Sequence, residues 1–413
     1  MTLAHGTRMT SLQLAVRNVA RNRRRSLLAA SAVFFGVFAL LCIRGSLNGL
    51  QTALRSVLVE RHSGALQVHR AGYLKQVVGT PLSLSMKVDD GLLERIRSVE
   101  HVVGVSPRLV FGGMLSANDT TALAVVTAFD PAREYQVCPA KPQDVTNGKP
   151  VSAEALDGVV AASSLLRRLK WDGSTPGAIL AGDRDGVLNA VDVKPSGSLG
   201  LPNVPGLESR TVLMTLAHAQ ELLRMPGEAT EIAIAVDDIR YTREVRDALQ
   251  ALLGSGYEVH SWEDLAPAVK GDQHNQEVIF AVLVAVFLLA ALVGISNTML
   301  VNMLERTREI GTMVSLGMRR GRLLSLFIVE GVALALLGCA LGILGSALFL
   351  AYFNHVGFHV KAVGGGVLHI YPVLGPVQAL ELTLTCAAGA VVASLYPAWK
   401  ASRMTPMSAM TAA

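Results

Sequence analysis

"LERTREIGTMVSLGMRRGR", Leu304–Arg322, places five arginines and three glycines between two long apolar runs, and the reading of those runs decides the fold. The chain has 413 residues, is 51% hydrophobic and 17% charged, and has a mean hydropathy of +0.42, unlike an ordinary soluble protein. Four runs approach or exceed the roughly 20 apolar residues that cross a bilayer core. They are Leu27–Leu50, Val278–Val301, Leu323–Phe353 and Val373–Leu395. The expected fold is an α-helical membrane protein with four transmembrane helices and one large domain outside the bilayer.

The first run follows the basic stretch "RNVARNRRRSLL", which invites a signal-peptide reading. Its apolar core, Leu27–Ile43, is longer than the roughly 7–15 residues of such signals, and no small-x-small site follows it. A retained span is the expectation. Lys and Arg then set the orientation, because short basic segments stay in the cytoplasm. Residues 1–26 carry Arg8, Arg17, Arg21, Arg23, Arg24 and Arg25 without an acid, and are expected in the cytoplasm. The 302–322 loop holds Arg306, Arg308, Arg319, Arg320 and Arg322 against Glu305 and Glu309. The 396–413 tail adds Lys400 and Arg403, whereas the short periplasmic loop 354–372 has only Lys361. Both termini are expected inside, with residues 51–277 outside.

Subtracting the basic inner segments from the whole-chain charge of +5 leaves the outer domain at about −6. The basic pI of 9.1 therefore reflects topology, and no interleaved aromatic and basic pattern supports nucleic-acid binding. Of four cysteines, Cys42, Cys339 and Cys386 fall in spans, so Cys138 has no outer partner for a disulfide.

Strands and helices alternate along the outer domain, as in a mixed α/β fold. "GALQVHRAGYL" reads as a strand and turn, and "DDGLLERIRSVE" as a helix with acidic residues at its start. "HVVGVSPRLVFGGMLSA" and "TTALAVVTAFD" read as strands, the second ending in an Asp130-Pro131 turn. After a Gly- and Pro-rich middle come "RTVLMTLAHAQELL", "TEIAIAVDD" and "REVRDALQALL": strand plus helix, strand, and helix. The expected division is one lobe from residues 51–155 and 211–270, with an inserted lobe at 156–210.

Enzymatic motifs are not found. No G-x-x-x-x-G-K-[ST] occurs, so the chain shows no phosphate cradle for ATP. Gly338 and Gly342 form a G-x-x-x-G face suited to close helix packing. His355, His359 and His369 cluster near the third loop, but no carboxylate or cysteine joins them there, so no metal site is read. Charges within spans are costly. Arg44 is expected to snorkel to the outer interface, and Glu330 to meet an arginine of the preceding loop. Glu381 either faces a wet cavity or marks a later start for the fourth span.

The opening stretch reads as a short helix from Leu304 to Leu316, with Ile310, Met313, Val314 and Gly317 spaced as one apolar stripe and Gly317 as its stop. A cytoplasmic amphipathic helix of this kind is a docking surface for a soluble partner.

The run "ERTREIGTMVSLGMRRGRLLSLFIVEG" closely resembles the loop after the second span in FtsX/MacB-like permeases of ABC transporters, the type VII or mechanotransmission class. "ASLYPAWKASRMTPMSAM" is similar to that family's ending, "LAVRNVARNRRRSLL" looks like its cytoplasmic amphipathic entry helix, within residues 1–26, and "SGALQVHRAGY" resembles the opening of the outer domain in lipoprotein-releasing, Lol-type members. The resemblance implies porter and sabre-like outer lobes, a second permease protomer, identical or paralogous, and a cytoplasmic ABC ATPase dimer that supplies ATP and Mg. No cofactor is expected on this chain itself. Glu305, Arg306, Thr307, Arg308, Glu309, Ile310, Gly311, Met313, Val314, Leu316 and Gly317 would be the coupling helix seated on the ATPase. Phe34, Phe38 and Leu41, with Ile279, Leu283 and Val286, would line an apolar cavity between the first and second spans of both protomers that holds the cargo's acyl chains.

The Lol-type resemblance implies extraction of lipoproteins from the inner membrane toward a periplasmic carrier. A MacB-like exporter of another amphipathic cargo, an FtsX-like activator of a periplasmic hydrolase, and a receptor or scaffold without transport are the alternatives.

Overall fold

The computed structural model describes residues 23–76, 82–200, 210–316, 318–361 and 367–402. The lead-in segment up to residue 22, the tail from 403 and Gly317 lie outside the described residues. Two compact units divide the chain.

The membrane unit is built on α1 (Arg23–Ser56), α2 (Pro267–Glu305), the short α3 (Thr307–Ser315), α4 (Arg320–Val356) and α5 (Pro376–Ser402). Four of these, all but α3, are long and apolar enough to cross a membrane. Close packing of α1 on α4 depends on glycine. A Cβ on Gly338 would lie 2.6 Å from the Val33 Cβ and 2.8 Å from the Ala30 carbonyl, and one on Gly342 would lie 2.8 Å from the Val37 Cβ. Removing these side chains lets the backbones approach, as small-xxx-small faces do in lipid. Likewise Gly331 brings α4 against the buried Ser394 of α5.

The α/β unit holds β1 (Leu66–Arg70), β2 (Met86–Lys87), β3 (Val102–Ala117), β4 (Thr120–Phe129), β5 (Val145–Gly148) and β6 (Gly158–Ala162). It continues with β7 (Gly177–Gly182), β8 (Leu188–Leu199), β9 (Thr211–Thr215), β10 (Glu228–Ala229), β11 (Glu231–Val236) and β12 (Tyr257–Ser261). One half is a four-stranded antiparallel sheet in the order β12-β1-β11-β3, with helices Asp90–Arg97 and Thr242–Leu253 on one face. In chain order this is the split β-α-β-β-α-β arrangement. The helix at Asp90 starts where the sequence suggests, because the Asp89 side chain accepts a hydrogen bond from the Leu92 N–H at 2.7 Å.

The other half closes on itself. β3 pairs with β4, β4 with β9, β9 with β6, β6 with β8, β8 with β7, and β7 with β3 again. This six-strand ring surrounds its own core of Phe111, Leu115, Val126, Val159, Ile179 and Met214. An inserted lobe therefore exists, but 156–210 is too narrow a boundary for it. Its strands β6, β7 and β8 share one core with β3, β4 and β9, which lie outside that range: β6 pairs with β9, and β7 with β3. Two smaller expectations are also corrected. Asp130-Pro131 opens a helix, Pro131–Val137, with the Asp130 carboxylate capping the Ala132 N–H, so it is not a turn. In the 354–372 segment, Phe358–Lys361 and Val367–Ile370 pair as two strands, where a loop was expected; the side chains of His359 and His369 are outside the described residues.

Alternation along the four-stranded sheet sorts its two faces. Leu66, Val68, Val105, Ile232 and Ile234 face the helices. The opposite face carries Gln67, His69, Arg108 and Glu231 beneath the helix Pro131–Val137, and there the chain buries charge. Glu134 is 0% exposed and Arg108 is 2% exposed. Arg108 grips Glu134 with two nitrogens at 2.8 and 2.9 Å, donates to Glu231 at 3.1 Å, and donates to the His62 carbonyl at 2.8 Å. Lys141 and the Ser106 hydroxyl complete the shell of Glu134. Two cations and two anions balance, which is the condition under which buried charge is tolerated. Burial alone would raise the Glu134 carboxyl, but Arg108 and Lys141 hold it down at about 2. Glu231 is similarly opposed by burial and held at about 2 by its bonds to His69 and Arg108.

Candidate functional site

α2 ends at Glu305, and α3 starts after a one-residue break at Arg306. The hydrogen-bond ladder bridges that break: Arg306 N–H reaches the Asn302 carbonyl and Ile310 N–H reaches the Arg306 carbonyl at 2.9 Å. Thr307 is buried, with its hydroxyl donating to the Leu304 carbonyl at 2.6 Å. Arg306 holds α3 by two routes. Its Nε donates to Glu309 at 2.9 Å, and its Nη1 stands 4.0 Å from the buried Glu330 of α4. The pairing of Glu330 with a loop arginine is thus present. At the far end, the Met318 N–H returns to the Met313 carbonyl at 3.0 Å and closes the helix.

This geometry corrects the expected docking stripe. Ile310 is 2% exposed and packs in the bundle core with Met303, Leu323 and Phe327. Gly311 is buried, Met313 is half-buried, and the Val314 side chain lies outside the described residues. An apolar stripe on a helix tied to a bundle finds its nearest apolar surface in that bundle, so it turns inward. The face left to solvent consists of Arg308, Glu309, Thr312 and Ser315, with Leu316 at its end, 87% exposed. Glu305 is exposed beside the break.

The cavity expected between two protomers involves a second copy, and within this chain its six residues take different positions. Phe34 and Phe38 stack on each other at 5.7 Å and lie against Gly345 and Phe349 of α4. Ile279 and Val286 are exposed on α2, Leu283 packs against the bundle core, and Leu41 is buried. Within this chain a cleft of about 320 Å³ opens between α1, α2 and α5, lined by Leu41, Arg44, Glu277, Phe280, Gln378 and Glu381. Sequence reasoning had singled out Arg44 and Glu381 separately. No local pattern could place them together, because their helices are distant in the chain.

Residues 281–406 match the FtsX-like permease C-terminal family. Along nearly its whole length the chain is similar to two proteins named macrolide export ATP-binding/permease protein MacB. It is 25% identical to the one from Nitrobacter winogradskyi, covering 95% of this chain and 58% of that protein. It is 23% identical to the one from Bdellovibrio bacteriovorus, covering 97% and 61%.

The C-terminal part of the chain, residues 281–406, is an FtsX-like permease domain.

The permease thus spans about three fifths of the length of these curated relatives, and it aligns with their permease part. Among solved structures, the periplasmic region of MacB from Actinobacillus actinomycetemcomitans is similar at a TM-score of 0.36 and 8% identity, covering 53% of this permease and 98% of that chain. The four apolar helices and the family indicate a bacterial inner membrane protein.

Proposed function

We propose that this permease couples ATP hydrolysis by a separate cytoplasmic ABC ATPase dimer to outward movement of an amphipathic cargo, working with a second permease protomer. The observation that carries the reading is α3. It is a short helix locked to the bundle by Ile310, Thr307 and the Arg306–Glu330 pair, with a polar face turned to solvent. Force applied to such a helix passes into the bundle instead of bending a loop. In this reading α3 is the coupling helix, the termini lie in the cytoplasm, and the α/β unit lies outside, as the arginine distribution favours. ATP and Mg belong to the partner ATPase.

The relatives' name, macrolide export, favours a MacB-like exporter. Release of lipoproteins to a periplasmic carrier is the second reading, supported by the Lol-type "SGALQVHRAGY" opening at residues 63–73.

The test uses the purified permease with its co-purifying ATPase. Arg308→Glu and Leu316→Asp are expected to cut permease-stimulated ATPase activity about tenfold or more, since each removes a contact worth at least one decade at an interface centre. Folding would be unchanged, because both side chains are exposed. Undiminished stimulation in both variants would remove the coupling assignment. Depletion separates the cargoes: mislocalised lipoproteins support release, and macrolide sensitivity with normal lipoprotein sorting supports export.

A further inference from the structure

The cleft between α1, α2 and α5 contains chemistry that the coupling mechanism does not use. Arg44, Glu277 and Glu381 all line it, and none of the three forms an ion pair with another described residue. Gln378 and Thr385 add neutral polar groups, and the Arg44 guanidinium stands 5.1 Å from the centre of the Phe280 ring. Charges of both signs exposed to one cavity at a membrane helix end are costly unless something answers them.

Depth narrows what that is. Glu277 immediately precedes the apolar run of α2, Gln378 and Glu381 occupy the first turns of α5, and Arg44 lies near the end of the first apolar run. All four therefore sit at one end of the bundle, at the level where apolar helix gives way to headgroups.

Size and shape narrow it further. A cleft of about 320 Å³ is far larger than the roughly 30 Å³ of one water, and falls within the range of small-ligand sites. Toward the bundle interior it meets an apolar seam through Val284 and Leu382, and that seam holds only about 10 Å³. There is room for a polar head but not for a chain beside it. Ile279, Val282, Leu380 and Leu384, neighbours of the lining residues on α2 and α5, are exposed apolar surface along which hydrocarbon can lie.

We infer that this cleft binds a zwitterionic phospholipid headgroup from the side, its phosphate on Arg44 and its ammonium between Glu277 and Glu381, with the acyl chains left in the bilayer. Guanidinium is suited to phosphate because its fork presents parallel N–H donors, and two carboxylates match a primary ammonium. Neither a purely anionic nor a purely cationic head answers both sides of the cleft. The inference does not depend on what cargo the permease moves.

The full chain, in the complex in which it purifies, is extracted from vesicles of equal parts phosphatidylethanolamine and phosphatidylglycerol, and the retained lipid is counted by native mass spectrometry. The wild type is expected to retain phosphatidylethanolamine about tenfold over phosphatidylglycerol. Glu381→Gln, a near-isosteric change, brings the ratio close to one. Arg44→Gln lowers retention of both lipids, and Arg44→Lys restores part of it. Val293→Ala, on the exposed face of α2, leaves the ratio unchanged. Equal retention of the two lipids by the wild type would overturn the inference without any variant, as would Glu381→Gln and Arg44→Gln behaving like the wild type. Loss of ATPase stimulation in the α3 variants leaves this measurement untouched, so the two readings fail separately.

Discussion

Arg108 in the α/β unit meets Glu134, Glu231 and a backbone carbonyl, whereas Arg44 in the membrane unit lies over an aromatic ring and pairs with no described carboxylate. Both lie in strongly apolar segments, yet one is internally satisfied and the other is left open to a cleft. A satisfied buried charge fixes structure, because removing one partner strands the others. An unsatisfied one at a cleft contributes little to folding and is available to a ligand. The same residue type thus serves architecture in one place and recognition in the other.

That contrast can be broken most sharply at Arg108. Arg108→Met leaves Glu134 and Glu231 without their shared cation and is expected to cost about 3–5 kcal/mol in chemical unfolding of the detergent-solubilised chain. Acid attacks the same cluster. Both carboxyls sit near 2 in the fold against 4.5 ordinarily, so their contribution is complete above about pH 4.5 and is lost as pH falls toward 2. A pH series of unfolding midpoints should show that decline, and Glu134→Gln should flatten it.

A packing change with no charge comes next. Gly338→Ala forces a Cβ into Val33 and the Ala30 carbonyl, and a loss of about 1–3 kcal/mol in thermal stability is expected. The smallest effect belongs to Arg44→Gln, expected within about 0.5 kcal/mol of wild type because no ion pair to a described residue is broken. A large loss there would erase the distinction between the two arginines.

Much of this architecture was legible in the residues. Each of the four apolar runs overlaps one of the long helices, although α2 starts eleven residues before its run, and period-two stretches located β1, β3, β4, β9 and β11. The Arg306–Glu330 pair followed from charge placed close to a helix end. What escaped was non-local. The ring boundary depends on β7, a local hairpin partner of β8, also pairing with the distant β3, and no local pattern encodes that second pairing. Arg108 reads as a solvent-facing strand residue until the continuous burial from Gly104 to Leu109 shows that both faces of β3 are covered. The α3 stripe was correctly seen as apolar, but amphipathicity names a face and not its partner, and the bundle itself was the nearer one.

Arg108 and Glu231 are direct partners across β3 and β11, so the chain leaves the four-stranded sheet and returns to it at adjacent points. The residues between them, 109–230, are an insertion that leaves and re-enters through one rung of the ladder. It also carries the helix Pro131–Val137 and Lys141 back over the face it departed from, so excising it would spare the four strands yet leave Arg108 with Glu231 alone as its carboxylate partner.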